Sequence, residues 1–281
     1  MIHPAKWRET ADPFQLPFHG FVLKEVLGYP HAGNDVFQVR GEHDGREVEA
    51  YIKVARHRDA NIRREVELLQ QIHHPNLPRL LDWGEDFTWS VTEAMPGQRL
   101  SVLVGENTDG ASVAYMEAYG EMLAQLHQLQ GDFPDAPRRR FMDVRDAERC
   151  EAVGMTEERR WLLEHPVAPG QRCFCHGDGH YANLLWEDHH VSAVLDLELA
   201  GMGDREYDMA WAIIRRPGQR FMTTDEELRR FLQGYSRCGS YDARRLRWYM
   251  INSYVWFCQE DGAEYIAWVK DWIRRALAEE P

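Results

Sequence analysis

The N-terminal third of the chain alternates hydrophobic and polar side chains with a period of two, which is the pattern of half-buried β-strands. In the run 46–54 the apolar side chains fall on one face, and Lys53 falls on the opposite face. The Asp44-Gly45 pair just before this run predicts a tight hairpin turn. The pattern as a whole predicts a five-stranded antiparallel sheet, with strands at 21–27, 35–40, 46–54, 77–83 and 88–93.

Between the third and fourth predicted strands, residues 59–72 have the 3.6-residue period of an amphipathic helix. Glu65 lies in the middle of its apolar stripe, where a carboxylate is costly unless a cation pairs with it. Lys53 lies on the strand just before the helix, so the spacing predicts an ion pair between Glu65 and Lys53. The alternative is a helix rotated so that Glu65 lies at the edge of the stripe.

The periodicity changes after the Ala94-Met95-Pro96-Gly97 segment, and helical patterns dominate the remainder of the chain. This change predicts two domains, residues 1–93 and residues 94–281. The predicted fold class is therefore α+β, with a small N-terminal antiparallel β lobe that carries one helix and a larger, mainly helical C-terminal lobe. Helices are predicted at 112–129, 143–150, 156–164, 207–216, 225–238, 242–260 and 263–277, with a loop at 201–204.

Composition and charge narrow the functional classes. The chain has 281 residues, of which 33 are basic and 46 are acidic, giving a net charge of −13. This balance disfavours nucleic acid as a partner and is compatible with a cationic substrate. No apolar run approaches the length of a membrane span, and the N-terminus lacks a signal-peptide core, so we expect a cytoplasmic protein with no membrane partner.

The five cysteines are odd in number and irregularly spaced, which argues against a disulfide framework. Cys173 and Cys175 flank Phe174 on a predicted strand. A metal site at this pair would need a second Cys or His pair at ligand spacing, and the sequence does not supply one.

The residues best suited to carry chemistry lie in the stretch 174–198. A turn that contains glycine carries Asp178, Asn183 follows five residues later, and a short apolar hairpin then leads to Asp196 and Glu198. Two strands joined by a short turn would present Asp178, Asn183 and Asp196 at one end. Two carboxylates and an amide oxygen form a set of hard oxygen ligands suited to Mg²⁺ and to a phosphate-bearing substrate.

The order of these features resembles the aminoglycoside phosphotransferase and choline kinase superfamily. A strand with Lys53 comes first, then a helix with Glu65, a break that contains glycine, and a helical region with acidic motifs. The fold of that superfamily is protein-kinase-like, and the resemblance covers residues 22–211. The motifs that carry it are Arg64-Glu65-Val66-Glu67-Leu68-Leu69, His74-Pro75-Asn76, His176-Gly177-Asp178 with Asn183, Asp196-Leu197-Glu198, Gly203-Asp204 and Tyr207-Asp208.

The resemblance implies transfer of the γ-phosphate of ATP or GTP to a hydroxyl group of a small molecule. Asp178 would orient the substrate hydroxyl and accept its proton, and Asn183 and Asp196 would hold Mg²⁺. Glu198 would be either a second metal ligand or a carboxylate that contacts the ligands without touching the metal ion. Phosphoryl transfer depends on positioning and charge neutralisation, which are the roles that these groups can fill.

On the nucleotide side, the resemblance implies that Lys53, held by Glu65, contacts the α- and β-phosphates. The hinge residues Glu93, Ala94 and Met95 would line the adenine pocket through backbone groups. The loop 28–33 lacks a G-x-G-x-x-G pattern, so its part in holding phosphate is left open.

Two departures separate the chain from protein kinases. Gly177 stands where those enzymes carry arginine, and the chain has neither an Asp-Phe-Gly nor an Ala-Pro-Glu motif. The acidic charge favours an aminoglycoside-like acceptor, and hence antibiotic resistance, with Glu260, Asp261 and Glu264 as candidate ammonium ligands. The alternatives are a kinase of choline, homoserine, methylthioribose or a sugar, and a catalytically silent kinase-like binding protein.

Overall fold

The structure is a computed structural model that describes residues 10–30, 33–56 and 59–278. The predicted α+β class is confirmed, because these ranges contain nine strands and nine α-helices. No helix within them is long and apolar enough to cross a membrane. The predicted loop 28–33 lies partly outside the described residues, which do not include 31 and 32.

The elements are β1 (Phe21–Gly28), β2 (Asp35–His43), β3 (Arg46–Val54), α1 (Ile62–Gln71), β4 (Leu80–Trp83), β5 (Trp89–Glu93), α2 (Leu100–Val104), α3 (Met116–Leu126), α4 (Ala147–Ala152), α5 (Thr156–Glu164), β6 (Arg172–Cys175), β7 (Leu184–Glu187), β8 (His190–Val194), β9 (Gly201–Asp204), α6 (Arg205–Ile213), α7 (Asp225–Cys238), α8 (Ala243–Phe257) and α9 (Ala263–Ala278).

The chain divides into two compact units. The first unit contains the residues up to Gln98 together with Asn183–Ala200, and the second unit contains Arg99–Ala182 together with the residues from Gly201 onward. The predicted division between residues 93 and 94 differs from these units, since it lies earlier and leaves 183–200 with the C-terminal lobe. The physical reason is a bridge in which Gln98 and Trp186 exchange two backbone hydrogen bonds of 2.9 Å.

The first unit contains the predicted five-stranded antiparallel sheet, in the order β1-β2-β3-β5-β4. Asp44 and Gly45, which join β2 to β3, both have positive φ, as a two-residue hairpin turn requires. Helix α1 begins at Ile62, later than the predicted start at residue 59, and Glu65 is buried on its apolar side. The fully buried hydrophobic residues of the sheet are Val39, Ala50, Ile52 and Val91.

Strands β7 and β8 form a separate hairpin of the first unit, and Asn76 holds it. The carbonyl oxygen of Asn76 accepts from the Val194 amide at 2.7 Å, and its Nδ2 donates to the Val191 carbonyl at 2.7 Å. The hairpin also restricts residue 97, because a Cβ there would lie 2.2 Å from Ser192 Oγ. Since φ at Gly97 is +104°, only glycine fits this position without strain.

In the second unit, residues 201–204 form strand β9, where the sequence predicts a loop. Strand β9 pairs antiparallel with β6, from Arg172 opposite Asp204 to Cys175 opposite Gly201. The loop prediction is wrong because a Gly-Met-Gly-Asp sequence has little strand propensity of its own and takes its conformation from a distant partner. The short helix α2 is likewise missing from the predicted elements.

Helices α3 and α7 of the second unit touch through their backbones. A Cβ at Gly120 would lie 2.0 Å from the carbonyl oxygen of Phe231, and a Cβ at Gly234 would lie 2.0 Å from that of Glu117. Because both obstacles are backbone atoms within helices, neither can give way unless the two helices separate.

We expect Gly234→Ala to destabilise the protein, although alanine is the better helix former by about 1 kcal/mol. The added methyl group would force α3 and α7 apart, and overpacking of this kind costs about 1–3 kcal/mol. Gln233→Ala is the matched control, because Gln233 is exposed in the same helix and should change the free energy of unfolding by less than about 0.5 kcal/mol. Urea unfolding measures both variants, and equal stabilities would contradict the close approach.

Candidate active site

In the first unit, the ammonium group of Lys53 lies among three carboxylates. Its Nζ atom is 2.6 Å from Glu65 Oε2, 3.2 Å from Asp196 Oδ1 and 3.3 Å from Glu198 Oε1. Lys53 extends from β3 and Glu65 from α1, so the ion pair predicted from their spacing is confirmed. Asp196 and Glu198 come from the segment after β8, which the sequence could not place at Lys53.

The charges of this cluster do not balance, since three carboxylates surround one ammonium group. Burial by itself would lower the pKa of Lys53, but Glu65, Asp196 and Glu198 outweigh burial and hold that pKa well above its usual value. Burial raises the pKa of Glu65, the charges of Asp196 and Glu198 raise it further, and Lys53 opposes the shift. Lys53 is therefore charged at neutral pH, and the cluster carries excess negative charge.

Asn183 and Asp196 lie at the open end of the β7–β8 hairpin, as the sequence predicts for these two residues. The amide of Leu195 donates to the carbonyl oxygen of Asn183 at 2.8 Å, which sets the two chain segments side by side. At Asp196 the backbone turns into the left-handed region, with φ at +67°. Aspartate tolerates this conformation better than most residues do, so the turn limits the choice of residue at this position.

Glu198 joins three parts of the first unit. Its Oε1 atom accepts from Asn34 Nδ2 at 2.7 Å, and its Oε2 atom accepts from the amide of Asn61 at 2.8 Å, just before α1. Asn34 is itself fixed, because its Oδ1 accepts from the amide of Arg56 at 3.2 Å. Glu198 thus holds the residues that follow β1 and the start of α1 beside Lys53.

The donor set of this cluster fits a divalent cation. Oxygen atoms of Glu65, Asp196 and Glu198 lie within 4.8 Å of one another. Glu65 has a side chain only 6% exposed, and both of its oxygens accept hydrogen bonds, from Lys53 and from the Leu197 amide. Asp196, at 44% exposed, is the carboxylate best placed to meet a metal ion, and hard oxygen donors are those that Mg²⁺ prefers.

The hinge residues begin with Glu93, the last residue of β5 in the first unit, and two of their three amides are already bonded. The Glu93 amide donates to the Arg79 carbonyl at 2.9 Å, and the Ala94 amide donates to the Glu49 carbonyl at 2.9 Å. The Glu93 carboxylate pairs with Arg79 at 3.1 Å. Within the part of the chain that the structure describes, the Met95 amide has no hydrogen-bond acceptor.

Asp178 lies in the second unit, on the loop that follows β6. Its Oδ1 atom accepts from Trp211 Nε1 at 2.5 Å and lies 3.5 Å from Arg139, whose guanidinium also donates to the Gly177 carbonyl at 2.6 Å. The side chain is 32% exposed, so its orientation is fixed while solvent still reaches it. Sequence reasoning missed Trp211 and Arg139; the one available signal was that Trp211 falls one helical turn after Asp208.

The loop that carries Asp178 is held by Asp208, a fully buried residue of α6. Asp208 accepts hydrogen bonds from the amides of His176 at 2.9 Å and Gly177 at 2.8 Å, and His127 Nε2 lies 3.1 Å from it. Burial would raise the pKa of Asp208, but these partners outweigh it and hold that pKa below its usual value. Asp208 therefore anchors the loop that carries Asp178.

The surroundings of Asp178 within the second unit are cationic. The guanidinium groups of Arg139 and Arg216 lie 3.9 Å and 4.5 Å from the Trp211 ring. Arg216 Nε is buried and has no hydrogen-bond partner among the described residues. Burial, with the charge of Arg216 nearby, lowers the pKa of His180 to about 4, so this histidine is neutral at pH 7.

The acidic residues predicted to bind an ammonium substrate lie elsewhere in the second unit. Glu260 and Asp261 line a surface cavity of about 510 Å³ together with Arg145 and Arg149, and Asp178 does not line it. Glu264 is exposed in the first turn of α9. The structure does not bring these carboxylates together with Asp178.

We expect Asp208→Asn to lower the free energy of unfolding by about 3–5 kcal/mol at pH 7, since it removes the charge that pairs three buried donors. Because the folded-state pKa of Asp208 is lowered, its contribution is present above the unfolded pKa of about 4 and is lost as pH falls through the folded pKa. The difference between wild type and variant should therefore shrink in acid. Urea unfolding from pH 7 to pH 3 tests this, with the exposed Glu157→Gln as control.

Comparison with known proteins places these features in a family. The profile of the phosphotransferase enzyme family, APH, matches residues 26–249, and no curated protein matches the chain. A solved ternary complex of a thermostable mutant of aminoglycoside phosphotransferase APH(4)-Ia with AMP-PNP and hygromycin B superposes with a TM-score of 0.58 at 18% identity, covering 92% of this chain and 96% of its own. The aminoglycoside-3'-phosphotransferase of type VIII gives 0.52 at 22% identity, covering 83% and 93%. The streptomycin-ATP-APH(2")-IIa complex gives 0.56 at 15% identity, covering 89% and 92%.

The structural neighbours share this fold at identities too low to say more than that. The family match extends from the end of β1 to α8, so it takes in the Lys53 cluster, the Asp178 loop and Asp208. The family resemblance and the kinase-like fold inferred from the motifs are both confirmed. The chain belongs to the phosphotransferase enzyme family and is a phosphotransferase with an alcohol group as its acceptor.

Proposed function

We propose that the protein transfers the γ-phosphate of ATP or GTP to a hydroxyl group of a small molecule. The observation that carries this proposal is the ammonium of Lys53, held 2.6 Å from buried Glu65 and beside Asp196. Such a fixed cation, next to carboxylates suited to a metal ion, is what binding of a triphosphate requires. Two structural neighbours are complexes with AMP-PNP and with ATP, which supports a nucleotide as the phosphate donor. A cytoplasmic location, predicted from the sequence, would supply both nucleotide and Mg²⁺.

In the proposed reaction Asp178 orients the acceptor hydroxyl and takes up its proton. Trp211 and Arg139 both contact Oδ1 of this carboxylate, so its orientation is set before any substrate arrives. Asp208 holds the amides of the two residues before Asp178, which fixes the backbone of the loop.

For the nucleotide, Lys53 binds the α- and β-phosphates, and the Met95 amide binds the edge of the base. Asn183 and Asp196 are the residues that would hold Mg²⁺. When bound, this ion would neutralise phosphate charge. Glu198 is assigned a supporting role rather than a ligand role, because its two oxygens already hold Asn34, Asn61 and Lys53.

The acceptor has two candidates. The aminoglycoside predicted from the acidic charge is supported by two structural neighbours, which are complexes with hygromycin B and with streptomycin. A specific observation favours a second candidate, a hydroxyl compound that also carries a carboxylate or phosphate. Arg139 and Arg216 flank Trp211 beside Asp178, and guanidinium groups repel a polycation and bind anions.

We expect Asp178→Asn to lower kcat by about 10²–10⁴-fold, the range of a lost general base, while nucleotide binding persists. The thermal shift on addition of ATP or GTP with Mg²⁺ should therefore be the same in Asp178→Asn as in wild type, and should be lost in Lys53→Met. Asp188→Asn, in the exposed turn between β7 and β8, is the matched control and should retain full turnover. Absence of a Mg²⁺-dependent shift in wild type would favour the silent binding protein, and full turnover by Asp178→Asn would exclude Asp178 as the base.

A panel of acceptors with coupled ADP and GDP detection decides between the acceptor candidates. It contains aminoglycosides, choline, homoserine, methylthioribose, neutral sugars, hydroxy acids and sugar phosphates. If the acceptor is anionic, Arg216→Gln should raise its KM by about tenfold or more while the KM for nucleotide stays within about twofold. If Arg216 instead neutralises the transferred phosphoryl group, the same variant lowers kcat with every acceptor. Turnover of aminoglycosides alone would exclude the anionic candidate.

A further inference from the structure

Two thiols and an imidazole meet in the second unit. Cys173 and Cys175 lie two residues apart on β6, and their sulfur atoms are 3.8 Å apart. His127, at the end of α3, brings a ring nitrogen to within 4.8 Å of both sulfurs. All three side chains are buried. The sequence shows only the Cys-x-Cys spacing, and the fold supplies the histidine.

The spacing of the two sulfurs suits a tetrahedral metal ion. Zinc binds thiolate at about 2.3 Å, and two such ligands at a tetrahedral angle are about 3.8 Å apart, the separation seen between Cys173 and Cys175. A zinc–imidazole bond is shorter, so an adjustment of about 1 Å in the His127 side chain would complete a third corner. Ligands of this softness select zinc and other thiophilic d¹⁰ cations over Mg²⁺.

The histidine is already oriented as metal-binding histidines are. Its Nε2 lies 3.1 Å from the Asp208 carboxylate, and its Nδ1 lies 2.7 Å from the hydroxyl of Tyr235. A carboxylate on one ring nitrogen is the usual partner of a histidine that binds metal through the other. The bond that a metal ion would replace is therefore the one from Tyr235.

The cluster is next to an opening to solvent. A surface cavity of about 350 Å³ is lined by His127, Cys173, Tyr235 and Cys238, among others. Cys238 is exposed and lies outside the group of ligand atoms that come within 4.8 Å of one another. The cavity can admit a hydrated ion and can supply water as a fourth ligand.

We propose that Cys173, Cys175 and His127 form a binding site for a thiophilic d¹⁰ cation, Zn²⁺ in the first place, that is separate from the Lys53 cluster. Binding releases two thiol protons to solvent, and water from the cavity takes the fourth position. Asp208 contacts His127 and also holds the loop before Asp178, so two successive hydrogen bonds connect an ion here to that loop. The proposal does not depend on the proposed phosphotransfer reaction.

Cobalt titration of the reduced, metal-stripped full-length protein tests the site. Excess Mg²⁺ is present to occupy the oxygen ligands around Asp196, so that they do not bind Co²⁺. One equivalent of Co²⁺ should produce a thiolate-to-cobalt charge-transfer band and the intense visible bands of tetrahedral cobalt, and one equivalent of Zn²⁺ should abolish both. Competition with a chromophoric chelator then gives the affinity for Zn²⁺.

Variants assign the ligands. Cys173→Ser and Cys175→Ser should each weaken or remove the charge-transfer band, and Cys238→Ser, a thiol on the same cavity, should leave it unchanged. Tyr235→Phe keeps all three ligands and frees Nδ1, so it should bind Zn²⁺ about threefold to tenfold more tightly, the value of one neutral hydrogen bond. Absence of the band in wild type overturns the proposal, whether or not the serine variants fold, and shows two ordinary buried thiols. Loss of the band in Cys238→Ser alone overturns the assignment to Cys173 and Cys175.

Discussion

The ammonium group of Lys53 contacts three carboxylates, those of Glu65, Asp196 and Glu198. A carboxylate as deeply buried as Glu65 would be costly without it. The same cation lies beside Glu198, which in turn holds Asn34 and the start of α1. The contacts of Lys53 therefore join β3, α1 and the segment after β8, and the excess of negative charge around Lys53 supports the proposed Mg²⁺ site.

In the second unit a buried negative charge, the carboxylate of Asp208, organises its neighbours as the Lys53 ammonium does in the first unit. Asp208 is a single buried carboxylate that satisfies two loop amides and orients His127. Buried polar groups are costly when unpaired, so each partner of Asp208 is held in one place. The loop with Asp178 is rigid for that reason, and Trp211 and Arg139 then fix the carboxylate itself. If Asp178 is the base, as proposed, these contacts set the orientation of its carboxylate before a substrate binds.

The local charge around Asp178 is a better guide to the acceptor than the net charge of the chain, because the two have opposite signs. The chain carries −13 overall, yet the side chains beside Asp178 in the second unit include Arg139 and Arg216. Screening over about 8–10 Å in physiological salt makes these neighbours matter more than distant surface carboxylates. Glu260 and Asp261, the candidate ammonium ligands, line a surface cavity together with Arg145 and Arg149.

The sequence by itself determined the elements whose signals are local. Alternation predicted the five strands of the first unit, and the Asp-Gly pair predicted a hairpin turn. The position of Glu65 in an apolar stripe predicted a cationic partner, and the spacing indicated Lys53. Tertiary structure alone decided the strand at 201–204, the membership of 183–200 in the first unit, and the meeting of His127 with two cysteines. Each of these is a pairing between segments far apart in the chain, and such pairings leave no periodicity in either segment because the partner, and not local propensity, supplies the free energy.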